Sequence, residues 1–387
     1  MKAAILGFGT VGSGAYEVIS RSSEDISVKR VLDIRPNPDI TDKLTNDISD
    51  IISDDEIITV AETMGGLHPA FEYVSSAMMA GKNVVTSNKK LVAAYYEELM
   101  SLAARKNVAF RFSAAAGGGI PWLSNIIRRS VTEKIDKIQG IINGTTNYVL
   151  DSMETRGISF VEALLEAQKL GYAERDPSSD IDGEDLRFKC AISASCAFGM
   201  HISEADISVL SLRNVKKEDI DYARKNGMCI KYMTFAARRD DGAFSAYVEP
   251  VMINSGALES AVHLNNNIVS LFGEYSGKLS FFGQGAGKYP TGAAIAYDVI
   301  EISKSNNFPI VCGGRGTVEN SGELHRYYIR TKDKDADVER ISDSYVKNGD
   351  YFVAVTREIS VFDINKIKET VLKSDDSAFF AGIHPEI

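Results

Sequence analysis

The chain has 387 residues, which is enough for two or three domains. Apolar residues make up 44% and charged residues 25% of it, as in an ordinary globular protein with a sizeable core. The formal net charge of −10 argues against nucleic acid or an anionic membrane as a main partner.

The histidines, cysteines and apolar runs exclude further classes of protein. Five histidines are scattered along the chain without metal-ligand spacing. The four cysteines form no CxxC pair and are interpreted as reduced, partly buried thiols of a cytoplasmic protein: Cys190, Cys196, Cys229 and Cys312. Met1 leads directly into a predicted strand, and no apolar run approaches the roughly eighteen residues of a membrane span. Neither a signal peptide nor a membrane association is therefore expected.

The first strand and helix are joined by a glycine-rich turn. Residues 2–6 predict a buried strand, GFGTVG follows in the G-x-G-x-x-G spacing, and a helix continues. In this context the first glycine makes the tight turn, the second lets a pyrophosphate approach the backbone, and the third packs helix against strand. The predicted cofactor contacts here are Gly7, Phe8, Gly9, Thr10, Val11 and Gly12. The alternative is a glycine-rich turn that binds nothing.

The next strand ends in an acid and a base that bear on the choice of dinucleotide. Asp33 lies 21 residues after Gly12, where an acid suits the ribose 2′-hydroxyl of NAD. Arg35 suits instead the 2′-phosphate of NADP, or is a solvated arginine after a strand end. The sequence leaves NAD and NADP open.

Strands and helices alternate up to about residue 112. IITVAETMGG predicts a strand and a turn at the nucleotide edge, so Met64 and Gly65 are further candidate cofactor contacts. SNKK, which contains Lys89, follows a short strand at the end where open α/β sheets bind ligands. Surface lysines at a helix start are the alternative. The alternation predicts an α/β fold with a Rossmann-type, doubly wound parallel sheet.

The segment 171–189, GYAERDPSSDIDGEDLRFK, concentrates acidic side chains. Its first part is predicted to be a loop, and Asp182 is a candidate N-cap for a helix that follows. On that helix Asp185 and Lys189 are four residues apart and share a face. Taken alone, this pattern is equally consistent with a solvated acidic loop and an ordinary helix ion pair.

The remaining sequence predicts three domains. Residues 1–135 form the dinucleotide-binding domain, completed by a helix at about 286–305 that follows a second glycine-rich turn. Residues 136–285 are an inserted α+β substrate domain. A linker begins at Pro309, and residues 310–387 form a small C-terminal α+β unit that alternates strand, helix, strand, helix, strand. DADVERISDSYVKN is its first predicted helix.

Taken in order, the motifs resemble those of homoserine dehydrogenase along roughly residues 1–305. They are GFGTVG, SNKK, AAAGGGIP, NGTTNYVLDSM, GYAERDPSSDIDGEDLRFK and GQGAGKYPTGAAIAYD. NGTTN together with the spaced acids and lysine of 171–189 is the specific part of this set. The resemblance implies interconversion of L-homoserine and L-aspartate 4-semialdehyde with NAD or NADP, within threonine and methionine biosynthesis. It also implies a homodimer, with residues 136–285 as the dimerisation domain as well as the substrate domain.

The resemblance assigns roles position by position. The family's catalytic lysine falls on Lys189, and a second lysine near the nicotinamide falls on Lys89. Glu174 matches the carboxylate that receives the substrate's amino group, and Asp185 and Asp180 match acids of the same pocket. The other matching positions are Tyr172, Gly144 and Thr145 in the substrate pocket and Gly287 at the cofactor.

Two family features are left open. The family's monovalent-cation (Na⁺) site uses backbone carbonyls, here those of Ala116, Gly118 and Ile120, with an acid just upstream. This chain has Ser113 at the acid's position. Many members also carry a regulatory ACT domain, and the C-terminal unit is compatible with a reduced one or with a dimer-stabilising appendage.

The residue types suit this chemistry without the analogy. Carboxylates hold an ammonium, and a lysine transfers the hydroxyl proton while the nicotinamide carries the hydride. Aspartate-semialdehyde dehydrogenase, a rival, needs a thiolate, but Cys190 and Cys196 lie in a predicted helix without a nearby histidine. Another amino-acid dehydrogenase of this architecture and a non-catalytic NAD(P)-binding regulatory protein are the remaining alternatives.

Overall fold

The computed structural model describes residues 1–305, 310 and 312–387. Across them the chain divides into two compact units. The first comprises Met1–Ile135, Ser195–His201 and Gly283–Arg315, and the second Asp136–Ala194, Ile202–Phe282 and Gly316–Ile387. The predicted linker from Pro309 lies partly outside the described residues. No helix in the described part is long and apolar enough to cross a membrane.

The first unit begins with alternating strands and helices. They are β1 (Lys2–Leu6), α1 (Thr10–Arg21), β2 (Ser27–Leu32), β3 (Leu44–Thr45), α2 (Ser49–Ile52), β4 (Ile57–Glu62), α3 (Ala70–Met79), β5 (Asn83–Thr86), α4 (Lys89–Ala94), α5 (Tyr96–Lys106), β6 (Phe110–Arg111) and α6 (Trp122–Arg129). The strands pair in parallel in the order β3-β2-β1-β4-β5-β6. Residues 3–6 of β1 are fully buried because helices cover both faces of such a sheet. The predicted doubly wound sheet is confirmed.

The second unit is mixed. Its first elements are β7 (Ile135–Ile141), α7 (Gly144–Arg156), α8 (Phe160–Lys169), α9 (Ser178–Ile181), α10 (Glu184–Phe198), β8 (Ser208–Val209), α11 (Lys217–Lys225), β9 (Met228–Arg238), β10 (Phe244–Asn254), β11 (Asn266–Gly273) and β12 (Gly277–Gln284). The sheet runs β12-β11-β7-β9-β10 and continues into the C-terminal strands. Asp182 is not the predicted N-cap, because it ends α9 and its carboxylate accepts hydrogen bonds from Ser211 and Arg213.

The last elements return to the first unit and then extend the second. They are α12 (Lys288–Ser303), β13 (Leu324–Thr331), α13 (Ala336–Ile341), β14 (Ser342–Asn348), β15 (Tyr351–Thr356), β16 (Ile359–Ser360), α14 (Val361–Ser374) and β17 (Phe379–His384). The helix α12 packs on α1, as the predicted return requires. The strands run β17-β13-β15-β14, which makes a split β-α-β unit.

Two features of the C-terminal segment differ from the prediction. The segment does not separate from the second unit, because β17 pairs in parallel with β10 and so continues its sheet. Residues 342–348 are a strand and not the end of a helix, because they form a hairpin with β15 across Gly349, which has φ +61°. The two-residue turn is Gly349–Asp350, with glycine first, which is a hairpin signal that the helical pattern of the preceding residues concealed.

Candidate active site

The glycine-rich turn has the geometry of an anion site. Gly7 has φ +89° and donates its N–H to the carbonyl of Leu32 at 2.8 Å. A Cβ on Gly12 would overlap the carbonyl oxygen of Gly7, so α1 touches the strand end through backbone. Gly9 precedes α1 and has no side chain to cap the first amides. A Cβ added at Gly9 would lie 3.9 Å from the closest atom, on Arg35, which leaves room for a phosphate at the helix N-terminus.

Asp33, just after β2, binds Arg35 and the glycine-rich turn through its carboxylate. Its Oδ1 accepts hydrogen bonds from the backbone N–H and Nε of Arg35 at 2.9 and 3.1 Å. Its Oδ2 accepts from the N–H of Phe8 at 2.7 Å and from Nη2 of Arg35 at 3.0 Å. The Arg35 guanidinium therefore holds the pKa of Asp33 well below its usual range. All four acceptor positions of the carboxylate are engaged, whereas the Arg35 side chain is 68% exposed.

The ends of β4 and β5 are tied together by Glu62, which the sequence did not single out. Its Oε1 accepts from the N–H groups of Met64 and Gly65 at 2.7 and 3.2 Å, and its Oε2 accepts from the hydroxyl of Thr86 at 2.5 Å. Burial raises the pKa of Glu62. Thus one buried carboxyl orders the loop after β4 and the approach to α4. The only sequence signal was an acid at the end of an apolar strand.

Lys89 is placed by the cap of α4. Asn88 accepts the N–H of Leu91 at 3.1 Å as the N-cap and donates to the carbonyl of Gly66 at 2.6 Å. Lys89 is therefore the first residue of a helix that starts at the carboxyl end of β5. The position agrees with the sequence prediction, and the role of Lys89 stays a prediction.

In the second unit the structure assembles a lysine and two carboxyl groups around one asparagine. Nζ of Lys189 donates to Oδ2 of Asp185 at 2.7 Å and to the carbonyl of Ile142 at 2.9 Å. The amide of Asn143 donates to Asp185 and to Asp180, each at 2.7 Å. The side chains of Lys189 and Asp185 are only 12% and 6% exposed. This is not the solvated ion pair that the spacing alone allowed.

Asn143 is the residue that sequence reasoning missed in this group. Its Oδ1 caps α7 by accepting from the backbone N–H of Thr146 at 2.9 Å, which fixes the direction of its amide. Burial and then the charge of Asp185 raise the pKa of Asp180, and the Asn143 amide opposes that rise. The first residue of NGTTN therefore positions the acids, although only the next two were predicted to line the pocket.

The other predicted substrate residues surround the start of α7. Gly144 is its first residue, and the hydroxyl of Thr145 donates to the carbonyl of Tyr172 at 2.6 Å. The ring of Tyr172 lies edge-on to Tyr148, 5.2 Å between centroids. Glu174 is exposed, and its carbonyl accepts from the amide of Gln168 at 3.0 Å. The structure thus brings Lys189, Asp185 and Asp180 together and leaves Glu174 at the surface.

The predicted cation site lacks its acidic ligand. Ala116, Gly118 and Ile120 follow a short turn, and the carbonyl of Ile120 accepts from the N–H of Trp122 at 2.7 Å. The N–H and hydroxyl of Ser113 donate to Asp298 at 2.9 and 2.8 Å. Burial raises the pKa of Asp298 to about 6. The donor set therefore does not fit the family's cation, and no step below involves it. Gly287, the predicted cofactor contact, is the N-cap of α12.

Comparisons with known proteins decide the family. Residues 7–113 match the model of the homoserine dehydrogenase NAD-binding domain, and residues 121–300 match the homoserine dehydrogenase model. The chain is 38% identical to a homoserine dehydrogenase of Synechocystis over 319 residues, 78% of the chain and 73% of that protein. For the Bacillus subtilis enzyme the identity is 33%, covering 79% and 73%. The chain belongs to the homoserine dehydrogenase family.

A solved structure extends the likeness to the whole chain. The homoserine dehydrogenase of Thiobacillus denitrificans superposes with a TM-score of 0.87 at 29% identity, covering 100% of this chain and 98% of that one. The C-terminal segment is therefore included in the match. Membership confirms that the chain is an oxidoreductase that uses NAD or NADP and acts on a small molecule.

The cysteines of α10 do not support the thioester rival. Burial raises the pKa of Cys190 and of Cys196 to about 12, so neither provides a thiolate near neutral pH. Hydride transfer between a substrate and a nicotinamide needs no such nucleophile, because it forms no thioester.

Proposed function

We propose that the chain interconverts L-homoserine and L-aspartate 4-semialdehyde, with Lys189 as the general acid and base. The observation that carries this is the position of Nζ of Lys189, held 2.7 Å from Asp185 and 2.9 Å from the carbonyl of Ile142. A lysine ammonium has three donors, and these two acceptors fix its direction while leaving one donor for a substrate oxygen. A buried, oriented amine is what proton transfer requires.

In the direction of oxidation the neutral amine of Lys189 accepts the proton of the substrate hydroxyl. Asp185 then stabilises the ammonium that forms, at 2.7 Å from Nζ. A bound nicotinamide would supply the acceptor for the hydride. In reduction the ammonium donates its proton to the carbonyl oxygen. Asn143 keeps Asp185 in place, and Asp180, held by the same amide, is proposed to receive the substrate's amino group. The role of Glu174, which lies at the surface, stays a prediction.

We propose that NADP is bound through Arg35. Because Asp33 is saturated by its hydrogen bonds to Arg35 and Phe8, it has no acceptor position left for a ribose hydroxyl. The exposed guanidinium, fixed at the carboxyl end of β2, suits a 2′-phosphate. Lys89, at the start of α4, is proposed as the lysine near the nicotinamide.

The assay of this proposal follows nicotinamide absorbance at about 340 nm with L-homoserine and either NADP⁺ or NAD⁺. We expect the oxidised nicotinamide to be reduced when L-homoserine is the substrate. We expect no reduction with L-serine, because its shorter side chain places the hydroxyl elsewhere. The reverse reaction with aspartate 4-semialdehyde and NADPH provides the second arm. No turnover in either direction by folded, NADPH-binding protein would refute the substrate assignment.

A homodimer in the cytoplasm is proposed as the working state. The edge strand β12 and its turn expose Phe282 and Tyr275, at 61% and 78%, as a subunit contact would require. The four cysteines are free, which supports a reducing compartment. Residues 310–387, whose strand β17 continues the sheet of the second unit, are proposed as a reduced ACT-like extension of that sheet. Light scattering coupled to gel filtration, with Phe282→Glu as the variant, tests the dimer.

A further inference from the structure

Two histidines and a glutamate meet on three neighbouring strands of the second unit. Glu249 lies on β10, His384 on β17 and His325 on β13, and the sheet order is β10-β17-β13. Gly382 on β17 is opposite Val251 on one side and Tyr327 on the other. Each of the three side chains is two residues from one of these paired positions, so all of them project from the same face of the sheet.

The three side chains point their ligand atoms at one another. Oε1 of Glu249 lies 2.9 Å from Nε2 of His325 and 3.3 Å from Nε2 of His384. The three ligand atoms all lie within 4.8 Å of one another. Among the described residues, these side chains form the one group of three or more His, Cys, Asp or Glu that could hold a metal ion. The side chains are 1%, 10% and 6% exposed, in the order Glu249, His325, His384. Two imidazoles and one carboxylate are a donor set that zinc favours.

The outer atoms of two of these side chains, His384 and Glu249, are also held in place, as they are in protein zinc sites. Nδ1 of His384 lies 3.1 Å from a carboxylate oxygen of Glu386. The hydroxyl of Tyr327 donates to Oε2 of Glu249 at 3.1 Å. In protein zinc sites a ligating histidine donates its other N–H to a carboxylate, which fixes the ring and raises its basicity. The Glu386–His384 contact has this arrangement.

A glycine on the middle strand lets the ligand atoms come together. A Cβ added at Gly382 would overlap Oε1 of Glu249 and lie 3.0 Å from Nε2 of His384. The absence of a side chain at Gly382 therefore lets the Glu249 carboxylate and the His384 ring approach the backbone of β17 closely, so that their ligand atoms meet over this residue. An ion held between the three ligand atoms would join β17 to both of its neighbours.

We propose that Glu249, His325 and His384 bind a divalent transition-metal ion of the zinc class. Three protein ligands leave one tetrahedral position for water. The site fastens the C-terminal strand β17 between β10 and β13, and it is separate from the lysine and carboxylates of the proposed reaction. Nothing in this inference depends on the substrate.

Metal content is the test. Untagged protein is stripped with a chelator, loaded with Zn²⁺, freed of excess ion by gel filtration and analysed by mass spectrometry of the elements. We expect about one zinc ion per chain, and visible d–d bands when Co²⁺ replaces it. His325→Gln, at the least buried of the three ligands, should lose both signals. Protein that retains no zinc would overturn the proposal, and the cluster would then be an ion-free hydrogen-bond network.

Two further variants serve as a matched control and as a test of the hydrogen bond that holds Glu249. His263→Gln is the matched control, because His263 contacts a single carboxylate, that of Asp151 at 2.7 Å, and should leave the zinc content unchanged. Tyr327→Phe keeps the ring and removes only the hydroxyl that holds Glu249, so it should fold and weaken zinc binding by about 10–100-fold. Zinc binding that is equal in wild type and in His325→Gln would place the ion elsewhere and refute the site.

Discussion

Replacing Lys189 tests the proposed chemistry most directly. General acid–base catalysis contributes about 10²–10⁴-fold, which corresponds to about 2.7–5.4 kcal/mol of the activation barrier. Lys189→Ala should therefore lower kcat by that factor. It should also destabilise the fold, because it leaves the 6%-exposed Asp185 without its cation, and breaking such a pair costs about 3–5 kcal/mol. The amide of Asn143, at 2.7 Å, offsets part of that loss.

Lys189→Arg separates the two effects. A guanidinium keeps the positive charge beside Asp185 but does not give up its proton at accessible pH. We therefore expect kcat to fall nearly as far as in Lys189→Ala, while the free energy of unfolding drops less. The assay compares kcat, the affinity for NADPH by fluorescence and urea unfolding for both variants. Lys169→Ala, which changes an exposed lysine at the end of α8, is the control.

The outcome that would refute the reasoning is a folded Lys189→Arg enzyme with near-normal kcat. The lysine would then serve only as a partner of Asp185, and Lys89 would become the candidate base. Loss of NADPH affinity in parallel with kcat would also contradict the proposal, since Lys189 is assigned to the substrate and not to the cofactor.

Three other predictions concern the first unit. Gly9→Val should fold, since Gly9 has extended backbone angles and open space, yet lose NADP binding in a fluorescence titration; normal affinity would contradict the phosphate site. Arg35→Ala should raise KM for NADP⁺ much more than KM for NAD⁺, and an equal change in both would exclude a 2′-phosphate contact. Asp298→Asn should change the pH dependence of urea unfolding. Native Asp298, with its pKa raised from 3.8 to about 6, binds its proton more tightly than the unfolded chain, so wild-type stability is lost as pH rises through that window, by up to about 3 kcal/mol. The variant lacks this loss, and parallel profiles for the two proteins between about pH 4 and 7 would refute the account.

Much of the nucleotide half could be predicted because its signals are local. Gly7, Gly9 and Gly12 lie within one turn, and strands buried on both faces of a parallel sheet are continuous apolar runs such as residues 3–6. The pairing of Asp185 with Lys189 is local too, since the two are one helical turn apart. That their side chains are buried is not local, because it depends on α7 and on the carbonyl of Ile142.

Residues that act across long separations were missed. Asn143 reaches Asp180 and Asp185, which are 37 and 42 residues away. Glu62 joins the ends of β4 and β5, which lie side by side only once the sheet has formed. Both are single polar residues in motifs whose other members attracted attention. Their importance follows from how many buried donors they satisfy, which is a property of the fold.

The histidine–glutamate cluster shows why local spacing was a poor guide to metal ligands in this chain. Glu249 is 76 residues from His325 and 135 from His384, so no ligand-spacing pattern relates them. Spacing patterns work where a turn or a helix supplies two ligands at once. In a sheet, each strand supplies one ligand, and the register between strands sets the geometry. Here Gly382 pairs with Tyr327 and Val251, and this register aligns the three ligands around a position without a side chain. A single glycine in a strand of apolar and aromatic residues, followed two residues later by a histidine, was the one local sign of this close approach.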